Sequence, residues 1–141
     1  MDTDVSCSGA VPRTCQSGQW VGGAACEIGC DAGACVSVVS LSARNQHACA
    51  LLSNGRVRCW GSSSSDMFGT AGQTVAKVPV EIPGITGATG LALGDEHACA
   101  RTAKGEVWCW GNNLHKQLGT LSPVAKSAAP VKVVNLPAAG S

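Results

Sequence analysis

The sequence has no tyrosine and one phenylalanine, and aromatics make up only 4% of its 141 residues. That excludes a core built on stacked rings and leaves small residues to fill the interior. Charge is also sparse. Only 13% of residues are charged, with ten basic and nine acidic side chains and a net charge of +1. No basic stripe is present to track phosphates and no acidic tail to meet a basic partner, so the expected partners exclude nucleic acid. No stretch approaches the roughly 20 apolar residues of a membrane-spanning helix. No segment carries a helical hydrophobic period. The opening residues, MDTDVSCSGA, lack the basic segment and apolar run of a secretory signal.

Catalytic signatures are missing as well. The chain has no GxSxG elbow, no Gly-rich phosphate loop followed by Lys, and no Cys-His-Asn context. Asp95 and Glu96 are adjacent and point apart on a strand, so they read as turn or solvent contacts. The expectation is a protein that is not an enzyme and needs no cofactor.

What the chain has in excess is cysteine, nine residues, and glycine, eighteen. Such cysteine density reads as disulfides made in an oxidising compartment. Disulfides without a signal segment conflict. The expected resolution is a piece of a longer secreted protein, with Met1 a cloning or start-site feature.

An internal repeat organises the rest. Shifted by 50 residues, His47-Ala48-Cys49-Ala50 falls on His97-Ala98-Cys99-Ala100, and Cys59-Trp60-Gly61 falls on Cys109-Trp110-Gly111. Gly55 falls on Gly105, Val57 on Val107, Leu41 on Leu91, and Gly69-Thr70 on Gly119-Thr120. A unit of this length is typical of a propeller blade or solenoid repeat.

Each unit contains a β-hairpin. Residues 48–52 and 56–60 flank Ser53-Asn54-Gly55, and residues 98–102 and 106–110 flank Ala103-Lys104-Gly105. A three-residue loop ending in Gly suits a type I turn followed by a left-handed Gly. Leu52 then opposes Arg56, Thr102 opposes Glu106, Cys49 opposes Cys59, and Cys99 opposes Cys109. Counting from the turn makes each cysteine pair non-hydrogen-bonded, the closer of the two antiparallel classes. Cross-strand disulfides are therefore geometrically reasonable. One face carries Ala48, Ala50, Leu52 and Trp60, the other the cysteines with Leu51 and Val57. Both are apolar or small, as in a sheet covered on both sides. The stretches VPVEIPGI and APVKVVNL read as outer strands. Ser62–Ser65 and Asn112–Gln117 read as loops.

Residues 7–35 differ, with cysteines at 7, 15, 26, 30 and 35 among Gly, Ala and Ser. This is a small disulfide-type module whose connectivity the sequence leaves open. Zinc held by Cys26, Cys30 and Cys35 with Cys15 or Cys7 is the weaker reading, because structural zinc sites use tight paired spacings. The expected domains are a truncated cysteine-rich module at 1–36, a first repeat at 37–90 and a second at 91–141.

Gly105, Val107, Trp110, Gly111, Asn112, Asn113, Gln117, Leu118, Gly119 and Thr120 resemble the WGxNxxGQLG signature of the regulator of chromosome condensation repeats. Lys116 stands where that signature has Gly. The first copy diverges, with Ser62–Ser65 at the Asn positions and Phe68 for Leu. The resemblance covers about residues 37–137. It implies an all-β chain, two blades of a β-propeller, each a small antiparallel sheet. The paired cysteines are similar to bacterial secreted members, especially those of myxobacteria. Trp20, Cys26, Cys30, Gly33, Ala34 and Cys35 resemble a six-cysteine module from the same organisms. Family propellers close about seven blades, so two blades need further blades, from the parent protein or by self-assembly.

The candidate site is a binding loop comprising Trp108, Asn112, Asn113, His115 and Lys116, with residues 62–68 beside it. Trp108 has no counterpart in the first copy, where Arg58 stands. Trp60 and Trp110 are repeat equivalents and read as core. His47 and His97 read as making structural hydrogen bonds, since a catalytic histidine is not needed once per blade. The function expected is a non-catalytic extracellular protein-binding or structural propeller piece, acting through rim loops on an unknown protein. The alternative is guanine-nucleotide exchange on a small GTPase, which the cysteine pairs disfavour.

Overall fold

A computed structural model describes the backbone of residues 5–16 and 19–137 and the side chains of residues 5–14 and 21–137. The described residues form thirteen β-strands and no helix. The chain divides into two units, Met1–Ser37 and Val38–Ser141.

In the first unit β1 (Val5–Ser8), β2 (Val11–Gln16) and β3 (Gln19–Gly22) form an antiparallel meander. β4 (Cys30–Asp31) and β5 (Ala34–Cys35) form a minimal hairpin. Its two turn residues, Ala32 and Gly33, both have positive φ, as a type I′ turn requires. Cys26 is the only apolar side chain fully buried among the described residues of this unit. Disulfides supply what such a core cannot. Cys7 is bonded to Cys30 and Cys26 to Cys35. These four thiols are consumed, which removes the zinc reading. The side chains of Cys15 and Trp20, and Met1, lie outside the described residues.

The second unit contains two four-stranded antiparallel meanders. The first blade is β6 (Val38–Arg44), β7 (His47–Leu52), β8 (Val57–Ser62) and β9 (Val75–Glu81). The second is β10 (Ala88–Leu93), β11 (His97–Thr102), β12 (Val107–Asn112) and β13 (Lys126–Lys132). The central hairpins have the register counted from their turns. Cys49 pairs with Cys59 and Cys99 with Cys109. Gly55 N–H donates to Leu52 O at 2.9 Å and Leu52 N–H to Arg56 O at 2.9 Å. Gly105, Thr102 and Glu106 repeat this at 2.9 and 2.8 Å. Gly55 and Gly105 take φ of 77° and 79°, the left-handed position that the loop demands.

Both cysteine pairs are disulfides, with Cα–Cα distances of 4.0 and 4.1 Å. Such closeness belongs to non-hydrogen-bonded pairs. The glycine after each tryptophan also has a physical reason. Register shifts occur between Cys59 and Gly61 and between Cys109 and Gly111. A Cβ at Gly61 would lie 2.3 Å from Gln46 O, and one at Gly111 2.5 Å from Glu96 O.

The core lies between the blades. Cys49, Leu51, Val57 and Cys59 of the first blade share one cluster with Ala98, Ala100 and Trp110 of the second, closed by Met67, Phe68, Ile82 and Ile85. The cysteine face of one blade thus packs on the tryptophan face of the next. The opposite faces differ from the two-sided burial read from the hairpins. Trp60 and Arg58 on the first blade are only half-buried, and Arg101 on the second is exposed. At the hairpin-turn end, Ala88 N–H donates to Gly55 O at 3.0 Å and Ala103 N–H to Gly87 O at 2.9 Å. These bonds tie both turns to the link between the blades.

Candidate functional site

The end of the unit opposite the hairpin turns carries the loops between β8 and β9 and between β12 and β13. The two loops have different roles. In the first, Ser63, Ser65, Asp66, Met67 and Phe68 are buried. Trp110 of the second blade inserts beneath this loop and donates its indole N–H to Met67 O at 3.1 Å. Ser64 and Ser65 donate their hydroxyls to Glu96 at 3.0 and 2.5 Å, and Asn112 donates to it at 3.2 Å. Asp66 accepts from Lys126 at 3.1 Å and from the Gly72 N–H at 2.9 Å. Residues 62–68 therefore form the joint between the blades rather than a free loop.

The second loop, residues 113–125, faces outward on an internal scaffold of amides. Asn113 is fully buried. It donates to Val124 O at 2.8 Å and accepts from the Leu118 N–H at 3.1 Å. Asn112 Oδ1 accepts from the Leu114 N–H at 2.8 Å, and Gln117 Oε1 from the His115 N–H at 2.9 Å. These bonds hold Leu114, His115 and Lys116 in solvent. Lys116 has φ of 63°, the left-handed region that explains why Gly is usual there. Two further exposed aliphatics, Leu121 at 85% and Val124 at 40%, join Leu114 at 66%. Sequence reasoning missed Leu121 and Val124, because a single aliphatic in a polar loop has no periodicity to reveal it.

Trp108 is not part of this constellation. It lies on β12 four residues before Asn112, about 13 Å along an extended strand. It sits at the hairpin-turn end, half-buried, and donates its indole N–H to Glu106 at 3.2 Å. The five candidate residues thus separate into an outward group (His115, Lys116), an internal clamp (Asn112, Asn113), and Trp108 at the far end of the blade.

His47 departs from the expected structural hydrogen bond. It is buried at 4% exposure with no well-formed hydrogen bond to either ring nitrogen among the described residues, and the Gly94 backbone acts on it only as a weak acceptor. Burial pushes its pKa below the ordinary value, and the Glu96 carboxylate opposes that shift. His97 packs its ring against Gly94, where a Cβ would lie 2.0 Å from Cε1.

Asp95 and Glu96 form no acid–base pair. Asp95 accepts from Arg44 at 2.6 Å, which holds its pKa low. The hydrogen bonds from Ser65, Asn112 and Ser64 hold Glu96 low. Both are fixed as carboxylates whose task is to join the blades. No group of His, Cys, Asp and Glu side chains among the described residues is arranged to hold a metal. No helix of the described residues is long and apolar enough to cross a membrane.

Residues 38–66 and 88–117 match one family model, and residues 104–139 a second, both described as the regulator of chromosome condensation (RCC1) repeat. Together they cover more than half of the chain. No curated protein matches it by sequence. Among solved structures, the chain is similar to human WBSCR16, with a TM-score of 0.61 at 20% identity, over 68% of this chain and 25% of that one. It is similar to Prp20p of Saccharomyces cerevisiae, with a TM-score of 0.65 at 16% identity, over 90% of this chain and 34% of that one. Yeast RCC1 (Prp20) in a complex with Kap60 gives 0.63 at 14% identity, over 90% and 33%. The chain spans about a quarter to a third of the length of these structures.

Proposed function

Because the chain belongs to the regulator of chromosome condensation (RCC1) repeat family, we propose that it is a non-catalytic, protein-binding part of a secreted β-propeller, with contacts made through the loop 113–125. The observation that carries this reading is the division of labour within that loop. Its amides are used internally, while Leu121 stands 85% exposed, beyond residues 114–116, which correspond to the joint-forming residues 64–66 of the first blade. An aliphatic held outward on a braced loop suits a protein surface with an apolar spot. Yeast Prp20p is described as binding Gsp1p and histones, and yeast RCC1 as bound to Kap60. These precedents support a protein as the class of partner.

Four disulfides fit an oxidising compartment. They weigh against nucleotide exchange on a cytosolic GTPase. The half-buried Trp60 on the outer face of the first blade supports the need for further blades stacked on this pair. The N-terminal unit fits a separate cysteine-rich module.

Photo-crosslinking tests the loop. A photoreactive residue in place of Leu121 or Val124, exposed to surface proteins of the producing cells, is expected to give one discrete adduct. The same residue in place of Val78, 67% exposed on β9, is expected to give none. Equal labelling from all three positions would overturn the assignment.

A further inference from the structure

We propose that the hollow beside Trp108 is a binding site for a neutral sugar ring. The hollow lies between the link joining the blades, Gly84–Gly87, and the turn that carries Lys104 and Glu106, and has a volume of about 200 Å³. At roughly 30 Å³ per water it holds about seven waters, a space for one hexose rather than a drug-sized ligand. It is formed wholly by the two blades present, so it stands apart from the rim loop.

Trp108 supplies the floor. The first blade has Arg58 at the equivalent position, so the indole is not a requirement of the blade. Its cross-strand neighbours are Ala100, too small to cover the ring, and Lys132, whose ammonium is drawn onto Glu106 at 2.6 Å. The indole N–H is already donated to Glu106 at 3.2 Å. Half-buried against the core, the indole is fixed by that bond and lines the hollow with its remaining ring surface. Glu106 is held ionised by Lys132, at 2.6 Å, and by Trp108. A carboxylate has about four acceptor positions. Two are used, and the side chain is still 31% exposed. Thr86, on the link between the blades, also lines the hollow.

Lys132 balances Glu106, and Lys104 stands beside it, so a cation gains nothing here. An anion meets the Glu106 carboxylate. A pyranose satisfies all the constraints, with its C–H face on the indole and its equatorial hydroxyls on Glu106 and Thr86. A second hollow of about 270 Å³ lies across the same turn and shares Lys104 and Glu106. It gives the next residue of a saccharide chain a place to lie.

The test is a titration of the full chain followed by the Trp108 indole N–H resonance. Methyl β-D-glucopyranoside and methyl N-acetyl-β-D-glucosaminide are expected to shift it saturably, with millimolar affinity. The corresponding β-1,4-linked disaccharides should bind severalfold tighter. Trp108→Arg is expected to fold, since Arg58 occupies the same site in the first blade, and to abolish the glycoside-induced shifts of neighbouring backbone resonances. Glu106→Gln, which keeps the ring, should weaken binding roughly tenfold. Absence of a saturable shift with every glycoside, or backbone shifts that persist in Trp108→Arg, would overturn the proposal. So would a response to N-acetylproline amide alone, which would assign the hollow to a peptide side chain.

Discussion

Replacing Trp110 by phenylalanine isolates the joint between the blades. The indole N–H donates to Met67 O across that joint, and the whole side chain is buried. Phenylalanine keeps most of the apolar volume but leaves the Met67 carbonyl without its donor. An orphaned buried acceptor costs about 1–3 kcal/mol, and the lost ring volume adds about 1 kcal/mol. Trp60 is the repeat equivalent, on a face that no blade covers. It is half-buried, and Trp60→Phe is expected to cost below about 1 kcal/mol. Urea unfolding of the oxidised protein, followed by circular dichroism, reads the difference. With a slope of about 2 kcal/mol/M, Trp110→Phe lowers the midpoint by about 1–2 M and Trp60→Phe by less than about 0.5 M. Equal shifts for the two variants would show that the covered and uncovered tryptophans have the same energetic role. That result would refute the joint as described.

Four further predictions concern a buried histidine, a disulfide and two left-handed residues. His47 titrates below its ordinary value of 6.5 in the fold because burial disfavours its charged form. The unfolded chain then takes up the proton first, so the stability His47 contributes is complete above about pH 6.5 and declines as pH falls toward its folded value. Denaturation midpoints at pH 7.5 and pH 5 should differ in the native protein and differ less in His47→Leu; identical slopes would refute the linkage. The double substitution Cys49→Ala and Cys59→Ala opens a bridge with a sequence separation of 10, and loop entropy sets the loss at about 2–3 kcal/mol, measured by the same unfolding. Lys116→Gly relieves a left-handed lysine and should be neutral or stabilising by up to about 1 kcal/mol. Asp66→Gly occupies the equivalent φ of 59° but removes the acceptor for Lys126 and Gly72, and should lose about 1–2 kcal/mol.

The central hairpins were legible because two local facts fix them together. A three-residue loop ending in Gly sets the register, and alternation then assigns every side chain from Cys49 to Trp60. The first strand of each blade was not legible. Val38, Val39 and Leu41 are apolar in sequence yet more than half exposed, so no alternation marks the strand. The N-terminal pairing was open because connectivity depends on which loops approach in space. Cys30 faces Cys35 across a hairpin, yet each is bonded elsewhere. The Ser62–Ser65 run misled for a different reason. Polar residues read as solvated, but here Ser65 is buried because Glu96, supplied 31 residues later, accepts its hydroxyl. Trp108 could have been separated from Asn112 by strand rise alone, since they are four positions apart on β12.

The two copies agree where a blade is built and differ where blades meet. Cysteines, tryptophan and bulge glycine coincide at the 50-residue spacing. The joint between the blades uses Ser64 and Ser65 on Glu96, and Asp66 on Lys126. On the uncovered face of the first blade, the equivalents of Glu96 and Lys126 are Gln46 and Val75. On the uncovered face of the second, the equivalents of Ser64, Ser65 and Asp66 are Leu114, His115 and Lys116. A second copy stacked head to tail would set Lys116 against Val75, and Leu114 and His115 against Gln46. It would make none of the carboxylate-centred bonds of the observed joint. A blade bearing an acidic residue at the Lys126 position would instead meet Lys116 with the charges of the Asp66–Lys126 pair exchanged. The rim residues thus favour distinct further blades over a second copy, because each joint carries its own polar key on a shared apolar interface.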